Sequence, residues 1–132
     1  MPKKVAAKKK KVTKAQKLEL ARKHLQRALE AWHEPDWDDL SMYGFYCLEA
    51  AVEAAALHIG MKTTIMHAQK AEIAAELHEQ AGLPDVSDLL IDLNSSRKAV
   101  AYGDMEAPEL DAEDVASQIE EYVDAVADLI EK

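Results

Sequence analysis

Arg97 is the residue of this chain best suited to hold a phosphate. It lies in the run Asn94-Ser95-Ser96-Arg97-Lys98, inside a segment that otherwise carries core residues such as Leu89, Leu90, Leu93 and Val100. A guanidinium presents a fork of donors that fits phosphate or carboxylate. Lys98 adds a second positive charge and Asn94 an amide. Tyr102 follows five residues after Arg97, just ahead of Gly103 and Asp104. On a helix Arg97 shares a face with Ala101 and lies close to Tyr102. A phenol with a reference pKa near 10 donates a hydrogen bond at neutral pH but is a poor base. A helix that only packs a core has no use for such a cluster. The structural alternative is that Arg97 pairs with an acid on a neighbouring helix and Tyr102 closes the helix end.

The other polar candidates are fewer. Glu49 and Glu53 stand four residues apart in an alanine-rich segment. Facing inward they need cationic partners, with Arg97 the obvious one; facing outward they are an ordinary solvated pair. The five histidines, His24, His33, His58, His67 and His78, show no zinc spacing, and no metal or cofactor is expected. His67 and His78 lie eleven apart, about three turns, too far to share an ion. Cys47 stands alone in an apolar context. It reads as a small core residue, and a single cysteine forms no internal disulfide.

These side chains need a helical frame. The chain has 132 residues, enough for one domain, with four glycines and four prolines falling mostly between periodic segments. The pattern predicts an all-α, antiparallel up-and-down bundle of four to five helices over residues 15–132. The first helix runs from about Ala15 to Trp32 with Leu18, Ala21, Leu25, Ala28, Leu29 and Trp32 on one face. The second runs from about Asp38 to Ile59 and stops at Gly60; its Ala50, Ala51, Ala54 and Ala55 let another backbone approach. The third starts near Thr63 or Thr64 and stops at Gly82, with Ile65, Ala68, Ile73, Leu77 and Ala81 on its buried side. The fourth runs from Ser87 to Tyr102, with Ser87 or Asp85 accepting from the amides at its start. The fifth begins at Pro108 or at Asp111, and carries the stripe Val115, Ile119, Tyr122, Val126 and Leu129 or Ile130.

Charge divides the chain. Residues 1–17 hold eight lysines and no acid, whereas the remainder sets eight basic residues against 25 acidic ones, a charge of −17. From Asp104 onward eleven acids face Lys132 alone. Residues 1–14 read as a flexible basic arm in which Lys8, Lys9, Lys10 and Lys11 are placed to meet RNA or DNA phosphates, with strong salt dependence and little sequence preference. Aromatics are not interleaved with these lysines, so base stacking is not indicated. The alternative is an arm that folds against the acidic body. No apolar run reaches about 18 residues, so no membrane span is expected. The lysine-rich start lacks the apolar core of a secretory signal, and a cytoplasmic protein is the default.

Three segments, in order, resemble the HEPN family (higher eukaryotes and prokaryotes nucleotide-binding), over about Asp38 to Asp104. Tyr46-Cys47-Leu48-Glu49-Ala50-Ala51-Val52-Glu53-Ala54-Ala55-Ala56-Leu57 is similar to the family's small-residue helix. Gly60 followed seven residues later by His67 is similar to the start of the next helix in one prokaryotic branch. Arg97-Lys98-Ala99-Val100-Ala101-Tyr102-Gly103-Asp104 resembles that branch's Arg-x-x-Ala-Asp-Tyr ending.

The resemblance implies a dimerising helical bundle. It implies a metal-independent RNase site between two subunits, and often a toxin role with a nucleotidyltransferase-like antitoxin. The family motif is Arg, four to six residues, then His. Arg97 matches the Arg, but five residues on stands Tyr102, and no His follows His78. RNA cleavage needs a proton acceptor, a proton donor and a cation at the phosphate, so Arg97 and Tyr102 alone leave the base unfilled. The expectation is a catalytically reduced, homodimeric protein of a toxin–antitoxin or defence system. It would bind RNA, a nucleotide or a partner at an Arg97–Tyr102 cleft, with Lys98, Asn94, Glu49, Glu53, His67 and Asp104 in support. Two alternatives stand beside it: an active RNase using Arg97 and Tyr102 with another polar group in place of the missing His, and a non-enzymatic interaction module anchored by the lysine arm.

Overall fold

A computed structural model describes residues 12–34, 36–63, 66–103 and 108–132. Among these residues five α-helices form an all-helical bundle: α1 Lys14–His33, α2 Trp37–Ile59, α3 Lys70–Ala81, α4 Ser87–Tyr102 and α5 Ala112–Glu131, with a 3-10 turn at His67–Gln69 ahead of α3. None of the helices is long and apolar enough to cross a membrane, among the described residues. The arm lysines Lys8, Lys9, Lys10 and Lys11, together with Ile65 and Asp104, lie outside the described residues.

Local chemistry explains the helix starts. Thr13 caps α1 through a reciprocal box: its hydroxyl accepts from the Gln16 amide at 3.1 Å, and the Gln16 side chain accepts from the Thr13 amide at 2.9 Å. Asp36 accepts from the Asp39 amide and opens α2, whose first turn also carries Asp38 and Asp39 at the positive end of its dipole. At α4 the acceptor is Asp85, which takes both the amide and the hydroxyl of Ser87, at 3.0 and 2.6 Å. Those bonds hold its carboxyl below the usual carboxylate range. Asp111, rather than Pro108, caps α5.

α2 is the axis of the bundle and packs against each of the other four helices. Ala50, Ala51, Ala54 and Ala55 are all buried, as a helix surrounded on several sides requires. Gly44 permits the closest approach: a Cβ built there would lie 2.7 Å from Ile119 Cδ1 of α5. Val115, Ile119, Tyr122 and Val126 bury the expected stripe of α5, joined by Ala116 and Val123, while Leu129 and Ile130 are half-buried. Cys47 is fully buried and its thiol donates to the Ala21 carbonyl at 3.3 Å, with burial pushing its pKa upward.

Two expectations change. The third helix does not start at Thr63; the α-helix begins only at Lys70, after the turn opened by His67, and Thr64 lies outside the described residues. Its buried side is Lys70, Ala71, Ala74 and Leu77, whereas Ala68 is exposed and Ile73 and Ala81 are half-buried. The shift has an electrostatic cause: Lys70 faces inward to meet two carboxylates of α2, and that rotates the helix away from the face that hydrophobicity alone selects. On α1, Leu25, Leu29 and Trp32 are half-buried and Ala31 takes a place in the core.

Candidate functional site

Phe45, Tyr46, Glu49 and Glu53 follow one another at helical spacing along α2, and polar residues of four other elements converge on them. Glu53 lies between two lysines. Its Oε1 accepts from Lys70 Nζ, and its Oε2 pairs with Lys17 Nζ of α1 at 2.6 Å. Burial alone would raise the Glu53 carboxyl, but the bonds and charges of Lys17 and Lys70 outweigh it and hold the group below its ordinary value. Lys70 is only 3% exposed and also approaches Glu49 Oε2 at 3.6 Å. Glu49, itself buried, bonds His67 Nδ1 through the same Oε2. Both glutamates therefore face inward, and their partners are Lys17, Lys70 and His67 rather than Arg97. A pair of carboxylates on a buried helix calls for cations; which helices supply them is decided by tertiary packing alone.

Arg97 has a different seat. Its guanidinium carbon lies 5.1 Å from the Phe45 ring centroid and 5.9 Å from that of Tyr46. One terminal nitrogen donates to Asn94 Oδ1 at 2.7 Å. The Phe45 ring also meets the His67 ring edge-on, centroids 5.4 Å apart. Phe45 is thus a shared platform for a cation on α4 and an imidazole at the start of α3. Tyr102 is elsewhere: 70% exposed, and five residues on it stands about 140° further round the helix than Arg97.

Between the 3-10 turn, α3 and α4 opens a groove of about 220 Å³. His67, Asn94, Ser95 and Lys98 form its polar walls, and Ala71 and Leu90 its apolar floor. Four residues of the sequence-derived cluster, Asn94, Ser95, Lys98 and His67, therefore meet at one place. Arg97 stands behind Asn94 instead of lining the groove. Because Arg97 donates to the Asn94 carbonyl oxygen, the Asn94 amide hydrogens stay available to the groove. Glu49 is an acceptor, so the His67 ring places a hydrogen on Nδ1; carboxylate–histidine pairing orients the ring in this way.

A larger groove, about 630 Å³, lies between α1 and α2. Its charged lining sets Lys23 and Arg27 against Glu30, Glu34, Asp36 and Asp39, and that excess of carboxylates repels phosphate. Near its edge, the His24 ring stacks on Tyr43 at 6.2 Å and tilts against Tyr46 at 5.7 Å. Burial, then Arg27, push the His24 pKa down, with Glu49 opposing. No spacing along the chain signals this histidine's aromatic surroundings. Among the described residues no group of three or more His, Cys, Asp or Glu is placed to hold a metal. No family model matches the chain, and no curated protein matches it.

Proposed function

We propose that the chain is a HEPN-like protein of a cytoplasmic toxin–antitoxin or defence system, binding RNA or a nucleotide in the groove between α3 and α4. The observation that supports this reading is the meeting of Lys98, Asn94 and His67 at one small groove, with Arg97 anchored behind Asn94. Lys98 supplies charge to a phosphate, Asn94 a directed amide, and Ala71 and Leu90 an apolar wall for a base or sugar. The lack of a His after Arg97 supports a catalytically reduced reading as far as the Arg-to-His motif is concerned. A homodimer formed beside α4 would bring a second Tyr102 and Lys98 to the same ligand, and a nucleotidyltransferase-like antitoxin is the expected partner in such a system.

The test is fluorescence anisotropy with a labelled single-stranded RNA and with mononucleotides, for wild type and Lys98→Ala. One charge-assisted contact is worth about 1.5–3 kcal/mol, so Lys98→Ala should weaken binding roughly tenfold or more. Unchanged affinity in Lys98→Ala would remove the groove from consideration.

The six lysines of residues 1–11 favour a second reading, in which the N-terminal arm alone anchors the protein to nucleic acid. Deleting residues 1–11 then abolishes binding and flattens its salt dependence, while the groove substitution has no effect.

A further inference from the structure

The chain has two tryptophans, Trp32 and Trp37. Both line one hollow of about 330 Å³, where the end of α1 and the starts of α2 and α5 meet. Leu40, almost wholly buried, and Ala112 complete its apolar lining. Both tryptophans are half-buried, so part of each stays open to solvent. The His33 ring packs on Trp32, centroids 4.7 Å apart. Two tryptophans that served only as core would close on one another, whereas these two border open space of the size that holds small ligands.

The charge around the hollow has one sign. Its own carboxylate is Asp36, whose Oδ1 accepts from the Asp39 amide at 3.1 Å; Oδ2 is bonded to no other described residue. Asp36 also lines the large groove between α1 and α2, beside Glu34 and Asp39. Trp37 also lines a third hollow, whose charged residues are Glu109 and Asp111. Lys23 and Arg27 enter the large groove from earlier turns of α1, and Arg27 is engaged by Tyr43, its guanidinium carbon 5.5 Å from the ring centroid. Phosphates and carboxylates are repelled here. Indole faces attract cations through the ring quadrupole, and a carboxylate beside them adds to that attraction. A primary ammonium carries three donors, and apolar walls with a single carboxylate leave most of them unmet. An ammonium whose hydrogens are replaced by methyl groups makes no such demand and presents apolar surface to the indoles.

We propose that the hollow between Trp32 and Trp37 is a binding site for a methylated ammonium group, the chemistry shared by choline and a trimethylated lysine side chain. The indoles hold the methyl groups, Asp36 supplies the counter-charge, and Leu40 and Ala112 give the apolar backing. The site shares no residue with the groove between α3 and α4, so it stands independently of the RNA reading.

The experiment follows tryptophan fluorescence of the full chain, in which every signal comes from these two residues, at constant ionic strength. The probes are choline, its neutral isostere 3,3-dimethylbutan-1-ol, and short peptides with lysine or trimethyllysine. A saturable change is expected with choline or the trimethyllysine peptide, at affinity about tenfold or more above the isostere and the unmodified peptide. The tighter of the two methylated probes identifies the source of the group. Asp36→Asn keeps a residue that caps a helix but removes the charge, and should weaken binding about fivefold or more. Trp32→Leu and Trp37→Leu, each read through the remaining indole and checked for fold by circular dichroism, should weaken it at least about tenfold. If either leucine variant fails to fold, the isostere and Asp36→Asn decide. No saturable response to either methylated probe up to about 10 mM, equal response to the isostere, or wild-type affinity in Asp36→Asn overturns the proposal.

Discussion

The guanidinium of Arg97 lies 5.1 Å from the centre of the Phe45 ring, so the charge at the middle of α4 rests on the aromatic face of α2 and reaches the groove only through Asn94. Arg97 then has two separable duties. The stacking contributes about 0.5–2 kcal/mol to stability, and the bond to Asn94 orients an amide. Arg97→Lys keeps the charge but not the planar fork. It is expected to cost about 1 kcal/mol of stability and to weaken RNA binding about fivefold to tenfold, whereas Lys98→Ala should weaken binding with no change in stability. Urea titrations beside anisotropy measurements separate the two; equal stability loss in both variants would refute the division.

Lys70 and Lys17 share the Glu53 carboxylate but differ in burial, their side chains being 4% and 24% exposed. Removing the buried partner strands charge away from water, at a cost of about 3 kcal/mol, while removing the more accessible one lets water take its place. Lys70→Met should therefore destabilise the protein by about 3 kcal/mol and Lys17→Met by about 1 kcal/mol or less. Chemical denaturation gives both values, and a reversed order would show that α1, not α3, carries the network.

Gly44 faces Ile119 at a distance no Cβ accepts without displacement. Alanine in a helix gains about 1 kcal/mol over glycine, but overpacking a filled core costs about 1–3 kcal/mol. Gly44→Ala should lose about 1 kcal/mol net. Ile119→Val removes the offending Cδ1 atom, so the double variant should be more stable than the sum of the two single effects. A thermal double-mutant cycle measures the coupling, and strict additivity would place Ile119 elsewhere.

His24 is neutral by preference, its pKa depressed chiefly by burial. The unfolded chain then binds the proton more readily than the folded one. The stability owed to this group is full above the ordinary histidine range, and it is lost as pH falls from that range through the folded value. Glu53, also depressed, adds a second loss at lower pH, beginning in the ordinary carboxylate range and completed as pH falls through its folded value. Stability measured by denaturant between about pH 8 and pH 5 should fall with acidification in wild type and fall less in His24→Phe. Equal slopes in the two proteins would contradict the assignment.

The helices were legible wherever hydrophobic period and terminators agreed. Gly60, Gly82 and Gly103 all take the left-handed conformation at helix ends, and Val115, Ile119, Tyr122 and Val126 are buried on one face of α5. The start of α3 was not legible, because the side chain that orients it is a lysine. Lys70 scores as a solvent residue until Glu49 and Glu53 are seen waiting for it on another helix. The site follows the same rule. The polar run at Asn94–Lys98 was visible because it interrupts an apolar pattern. The union of His67 with Glu49 joins positions eighteen apart, and only the packing of the 3-10 turn on α2 creates it. Tyr102 was singled out by adjacency along the chain, which says little about direction around a helix.

The two carboxylates of α2 also set how the groove yields. One wall is α4; the other runs from His67 to Ala71 past Lys70, which cannot withdraw without leaving Glu53 a single cation and Glu49 His67 alone. A wall latched in this way does not swing as a door. Amide hydrogens at the start of α3 should thus exchange with solvent only when the bundle as a whole opens, and a visitor to the groove meets a mould whose shape is cast before it arrives.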